Sequence, residues 1–217
     1  MASLADGEAA FLQRDYERAR AIWEPLVKQG HANAAAWLGS LYANGLGVEG
    51  DPATAFRYYL LAAERGNVMA ANNVAVMYSR GDGTEINPER ACYWLRTAAE
   101  QGDGFAQYNY AVALTTGMGM EIDLAAGVVW FRRAAEAGHY LSQARLGSLY
   151  ARGAGVDVDR IEAFRWLSSA SRHGVTQAET ELQALLGAMS EEEKRIAAAS
   201  AAIAPNKSLR ATPELAV

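Results

Sequence analysis

The sequence has a single cysteine, Cys92, in 217 residues. That excludes an internal disulfide framework and a cysteine-rich zinc site. No apolar run approaches the roughly 20 residues needed to span a bilayer; even "IAAASAAIA" (196–204) is short and interrupted by Ser200. Basic clusters are missing as well. With a net charge of −5 and no basic stripe, the chain lacks what a phosphate backbone requires, so nucleic acid is excluded as a partner. The first twenty residues carry Asp6, Glu8 and Asp15 and no apolar segment of the signal-peptide kind. As written the chain reads as cytoplasmic and without membrane insertion; it would be periplasmic if a leader had been removed.

Catalytic signatures are equally scarce. There is no G-x-S-x-G, no H-E-x-x-H, and no serine followed three residues later by lysine. The carboxylates Glu191 to Glu193 read as the acidic first turn of a helix rather than a general acid and base in a cleft. Cys92 lies between Ala91 and Tyr93 with no evident base and reads as an inert, partly buried thiol. No catalytic residue, metal ligand or cofactor is expected.

Glycine is what the chain has in excess. "NGLGVEGDPATAF" (44–56) leads three glycines into a helix, as a phosphate loop would, yet no strand precedes it and no lysine closes it. The pattern also recurs: "GLGVEGDP" at Gly45, "GDGTEINP" at Gly81, "GMGMEIDL" at Gly117 and "GAGVDVDR" at Gly153 stand 36 residues apart. Gly47, Gly83, Gly119 and Gly155 keep that period, and so do Gly30, Gly66, Gly102, Gly138 and Gly174. A constant period of this size is the mark of a helical array rather than of a nucleotide site.

The array reads as repeats 32–67, 68–103, 104–139 and 140–175, preceded by a capping unit at 1–31. Capping helices at 176–204 and a disordered tail at 205–217 follow. In each repeat the first thirteen residues form helix A, with apolar residues at helical spacing such as Leu38, Leu41 and Tyr42. Gly39, Ala75, Ala111 and Gly147 provide a small column for close helix approach. The first turn glycine ends helix A in a left-handed conformation. Helix B then begins at the N-cap column Asp51, Asn87, Asp123 and Asp159, with Pro52 and Pro88 at the first helical position. Asp159 with Glu162, and Ser190 with Glu193, have the spacing of a capping box. Aromatic or aromatic-leucine pairs fill helix B (Tyr58 and Tyr59, Trp94 and Leu95, Trp130 and Phe131, Trp166 and Leu167), and Tyr58 and Trp94 are assigned to the core. His31 and His139 are three repeats apart and cannot share a metal; with His173 they read as exposed histidines at helix ends.

These columns, "LG..Y..G.GV...D...A" followed by an aromatic pair, "AA" and "G", resemble the Sel1-like repeat, a relative of the tetratricopeptide repeat. "WLGSLYANGLGVEGDPATAFRYYLLAAERG" and "RLGSLYARGAGVDVDRIEAFRWLSSASRHG" carry the likeness most fully. "YAVALTTGMGM" departs from it, so helix packing in 104–139 is expected to be irregular. The resemblance implies an all-α, right-handed α-solenoid whose A helices line the concave side. It further implies a non-enzymatic adaptor, monomeric or weakly self-associating, that binds another protein or peptide in a bacterial signalling, secretion or envelope process. The alternative is a β-lactam-binding or -hydrolysing envelope protein like the cysteine-rich Sel1-like relatives, but those carry a cysteine pair in each repeat.

If helix A lines the binding side, the residues not consumed by the core form a second stripe. Its distinctive members are Met69, Asn72, Val76, Phe105, Tyr108, Val112 and Leu141, expected to converge on one groove. Most of them are apolar where a merely solvated face would be charged, and Tyr108 combines a ring with a polar tip. Asn73 and Asn109 read as repeat consensus.

Overall fold

The computed structural model describes residues 2–202. Among them are twelve α-helices and no strand. A short α1 (Leu4–Leu12) and α2 (Tyr16–Lys28) form the N-terminal hairpin. The four repeats are α3 (Ala32–Asn44) with α4 (Pro52–Glu64), α5 (Val68–Arg80) with α6 (Pro88–Glu100), α7 (Gly104–Thr116) with α8 (Leu124–Glu136), and α9 (Tyr140–Arg152) with α10 (Arg160–Arg172). The C-terminal pair is α11 (Thr176–Ala188) and α12 (Glu191–Ala202). Every helix of the four repeats has 13 residues, about 20 Å of rise. The chain divides into two compact units, the first ending at Asp103 and the second starting at Gly104.

Each turn between helix A and helix B is built the same way. The first glycine caps helix A at positive φ, 63° at Gly45 and 79° at Gly81, and the Gly81 N–H bonds the Met77 carbonyl at 2.8 Å. The backbone then returns, and the N-cap residue of helix B donates its N–H to a carbonyl nine residues back in helix A. The bonds are Asp51 to Tyr42 (3.0 Å), Asn87 to Tyr78 (2.8 Å), Asp123 to Leu114 (2.8 Å) and Asp159 to Tyr150 (3.1 Å). The N-cap side chains accept from the first turn of helix B, as Asp51 does from Ala53 and Thr54. The second glycine lets the turn press against the start of the preceding helix B: a Cβ on Gly83 would overlap the Pro52 carbonyl, and one on Gly155 would lie 2.5 Å from Leu124. The glycine-rich stretches are therefore helix punctuation and inter-repeat contacts.

One expected cap is not made. Because the Asp159 N–H already bonds Tyr150, Glu162 cannot complete a capping box, and its carboxylate instead accepts from Trp166 Nε1 (2.9 Å) and pairs with Arg165 (3.2 Å). Ser190 and Glu193 do form the box: Ser190 N–H donates to the Glu193 carboxylate at 2.7 Å, and Glu193 N–H donates to Ser190 Oγ at 3.2 Å.

The core column of helix B also needs a correction. Tyr58 and Trp94 are only half-buried, whereas their neighbours Tyr59 and Leu95 are buried, as are Phe131 and Leu167. Adjacent helical residues point about 100° apart, and the second of each pair faces helix A of its own repeat. A Cβ on Gly39 would stand 2.8 Å from the Tyr59 ring, and one on Gly147 would stand 2.7 Å from Leu167. Tyr58 instead stacks on Tyr42 (5.7 Å between centroids), and Trp130 meets Tyr110 edge-on at 5.4 Å. Burial pushes the Tyr59 hydroxyl pKa up to about 12, with the polar side chains of Ser40 and Asn73 near it opposing the shift.

Repeat 104–139 is more regular than its sequence suggests. Its helix A has Ala111 where Gly39 and Gly147 stand, and its helix B has Gly127, where a Cβ would lie 2.5 Å from Thr115 Cγ2. Both helices keep the length of the others.

Candidate functional site

The residues of the second stripe divide between the two units. In the first, Met69 of α5 is 51% exposed, while Asn72 and Val76, one and two turns on, are half-buried. Beside them Asn67 caps α5 by accepting from Ala70 N–H at 2.7 Å and donates through its amide to Asn33 Oδ1 at 2.9 Å.

The second unit carries the aromatic part. Phe105, in the first turn of α7, is 61% exposed, and Leu141, in the first turn of α9, is 49% exposed. His139 is the N-cap of α9. Its ring meets Phe105 edge-on at 5.3 Å and Tyr108 at 4.9 Å, while Tyr108 also packs 5.8 Å from Phe131. Tyr108 and Val112 are half-buried against the core of this unit, so they form the floor of the patch while Phe105 and Leu141 stand above it.

His139 departs from its expected place at an exposed helix end: it is half-buried, whereas His31 and His173 are exposed. Its Nδ1 accepts the Ser142 N–H at 3.2 Å, so the neutral ring carries its proton on Nε2. Burial pushes its pKa down to about 4, which keeps the imidazole uncharged at neutral pH. The N-cap column, in which His139 stands where another repeat has Asn67, was the available signal in the sequence. What it could not reveal is that Phe105 and Tyr108 cover the ring. In the next repeat boundary a related stack forms, with the His173 ring parallel to Tyr140 at 3.8 Å.

Further along the same face, Ser148 is buried and accepts from Arg152 while donating to Glu181 of α11. Gln177 holds the other Glu181 oxygen at 2.9 Å. Cys92 is buried, and burial raises its thiol pKa, so the thiolate is disfavoured. Among the described residues no group of three His, Cys, Asp or Glu side chains is placed to hold a metal ion, and no helix is long and apolar enough to cross a membrane.

Helical hairpins of constant length closed by glycine turns define an all-α repeat protein of the solenoid class. The chain belongs to the Sel1 repeat family, whose model matches it at residues 32–67, 68–103, 104–139 and 141–175. It is similar to a Sel1 repeat protein from Oxalobacter formigenes at 30% identity, with a TM-score of 0.79 over 83% of this chain and 74% of that one. A protective antigen of uropathogenic Escherichia coli displaying an SLR fold matches at 24% identity and a TM-score of 0.57, over 91% of this chain and 51% of that one. No curated protein matched. Sel1 repeats generally mediate protein–protein interaction, and the fold is typically a non-enzymatic scaffold.

Proposed function

We propose that the chain is a non-enzymatic adaptor of a bacterial signalling, secretion or envelope process, binding a peptide segment of another protein along the face of its A helices. Phe105, Tyr108, Val112 and Leu141 of the second unit are the contact residues of this reading, and Met69, Asn72 and Val76 form a separate candidate surface in the first unit. The observation that carries this reading is the exposure of Phe105 and Leu141, two large apolar side chains in the first turns of α7 and α9, with the Phe105 ring set against His139. Soluble proteins rarely leave contiguous apolar surface uncovered unless a partner covers it, and rigid aromatic side chains in such patches are typical hot spots. Rigid backing by Phe131 and His139 lowers the ordering cost of binding on Tyr108. The test is capture of the partner from the native host followed by calorimetry on Phe105→Ala and Tyr108→Ala, with circular dichroism to verify folding. Retained affinity in both folded variants would contradict the assignment.

A further inference from the structure

The turns from helix A to helix B are acidic and carry no base. In the second unit residues 117–123 hold Glu121 and Asp123 and residues 153–159 hold Asp157 and Asp159, with neither lysine nor arginine in either turn. Asp123 and Asp159 are engaged as caps of α8 and α10, while Glu121 and Asp157 stand exposed. Among the described residues none of the four takes part in an ion pair. The arginines around them have partners of their own: Arg152 is held by Ser148, Arg160 pairs with Glu193 at 3.2 Å, and Arg132 lies over the Tyr150 ring. No cation therefore compensates the turn carboxylates.

Beside them runs an apolar column that the turn does not need. Ile122 is 63% exposed and Val158 is 55% exposed, one in each turn of the second unit, and Ile86 holds the equivalent position in the first. Each leans over its own turn glycine: a Cβ on Gly117 would stand 3.0 Å from Ile122 Cγ1, and one on Gly153 would stand 2.8 Å from Val158 Cγ2. That contact is not a condition of the turn. Residues 45–51 have Gly50 in this column and still close through left-handed Gly45 and the bond from Asp51 to Tyr42. Gly155 sits against Leu124, itself exposed at the first position of α8, so the turn 153–159 is set alongside the start of that helix. Ile122, Leu124 and Val158 thus share one edge of the second unit, interleaved with Glu121, Asp123 and Asp157. Contiguous exposed apolar side chains mark an interaction surface, and fixed carboxylates among them select the sign of its occupant. An acidic segment would set its own carboxylates against these, a like-charge arrangement that disfavours that partner.

We propose that this turn edge of the second unit is a further docking surface, for a basic, apolar polypeptide segment: large aliphatic or aromatic side chains seat on Ile122, Leu124 and Val158, and flanking Lys or Arg side chains pair with Glu121 and Asp157. It is separate from the A-helix face and does not rest on the function proposed for that face.

The experiment is selection of a displayed random dodecapeptide library on the immobilised full chain. Enriched peptides are synthesised and titrated against wild type and three variants: Ile122→Ser with Val158→Ser, Glu121→Lys with Asp157→Lys, and Phe105→Asp. Every substituted side chain is exposed and the caps Asp123 and Asp159 are kept, so all three should fold; circular dichroism checks it. The expected result is enrichment of peptides that combine Lys or Arg with large aliphatic or aromatic residues. Each double variant of the turns should weaken them about tenfold, affinity should fall as salt rises, and Phe105→Asp should leave them unchanged. Peptides weakened by the charge reversal alone would reduce the edge to unspecific ionic attraction and overturn the docking surface. Neutral or acidic peptides weakened by the serine variant would overturn the basic preference. Peptides indifferent to both double variants, or no enrichment at all, would overturn the proposal outright; among the former, loss in Phe105→Asp would support the A-helix face instead.

Discussion

The imidazole of His139 packs 4.9 Å from the ring of Tyr108 while its Nδ1 accepts the N–H of Ser142, so one side chain serves as helix cap and as part of an aromatic surface. The capping role requires the neutral ring. Tyr108 is the titratable group in ring contact with it, and the cause of its lowered pKa is desolvation alone.

A pH dependence follows. The folded-state pKa of about 4 lies below the unfolded value of 6.5, so the unfolded chain binds the proton more readily. The stability this group contributes is fully present above about pH 6.5 and is lost as pH falls from there to about 4. Wild type should therefore lose a few degrees of Tm more than His139→Asn between pH 7 and pH 4.5. Asn keeps a capping side chain, as Asn67 does in the equivalent position. Parallel thermal melts decide it; identical pH profiles would remove the titration from His139.

Gly81→Val should destabilise the chain by about 2 kcal/mol or more. Gly81 sits at φ 79°, where a β-branched residue is strained, and a Cβ there would also stand 2.9 Å from Ile86 Cγ1. Gly66→Ala is the control. Its φ is 86° but the space beside it is open, so only the conformational cost of about 1–2 kcal/mol applies. Denaturant melts that leave Gly81→Val unchanged would refute the turn assignment.

Within helix B the two members of a ring pair should respond differently. Tyr59→Ala removes a buried ring seated against Gly39 and should cost about 3–5 kcal/mol. Tyr58→Ala removes a half-buried ring stacked on Tyr42 and should cost about 1 kcal/mol. Equal losses in urea unfolding would contradict the core assignment.

What could be read from the sequence tracks how local the determining physics is. The turn glycines, the N-caps Asp51, Asn87, Asp123 and Asp159, and the limits of the helices depend on backbone sterics and nearby hydrogen bonds, and a 36-residue period repeats those signals four times. The Asp159–Glu162 box was illegible because the competing acceptor, the Tyr150 carbonyl, lies across the turn. Tyr58 and Tyr59 are neighbours in sequence, and only the rotation of helix B relative to Gly39 decides which is buried. In the stripe, the apolar character of Phe105, Tyr108 and Leu141 was readable. Its division into a floor of Tyr108 and Val112 and an exposed rim of Phe105 and Leu141 arises from packing on Phe131 and His139. The disordered tail expected at 205–217 lies outside the described residues.

The most direct test of the central claim is calorimetric titration of the captured native partner into folded Phe105→Ala. This residue is 61% exposed and makes its ring contact with His139, so its truncation should leave the fold intact. A binding face on the A helices predicts a loss of about 2 kcal/mol, roughly thirtyfold in Kd, with Tm changed by no more than a few degrees. Wild-type affinity in Phe105→Ala, and again in Tyr108→Ala, would contradict it and move the partner to the helix B face or the turns.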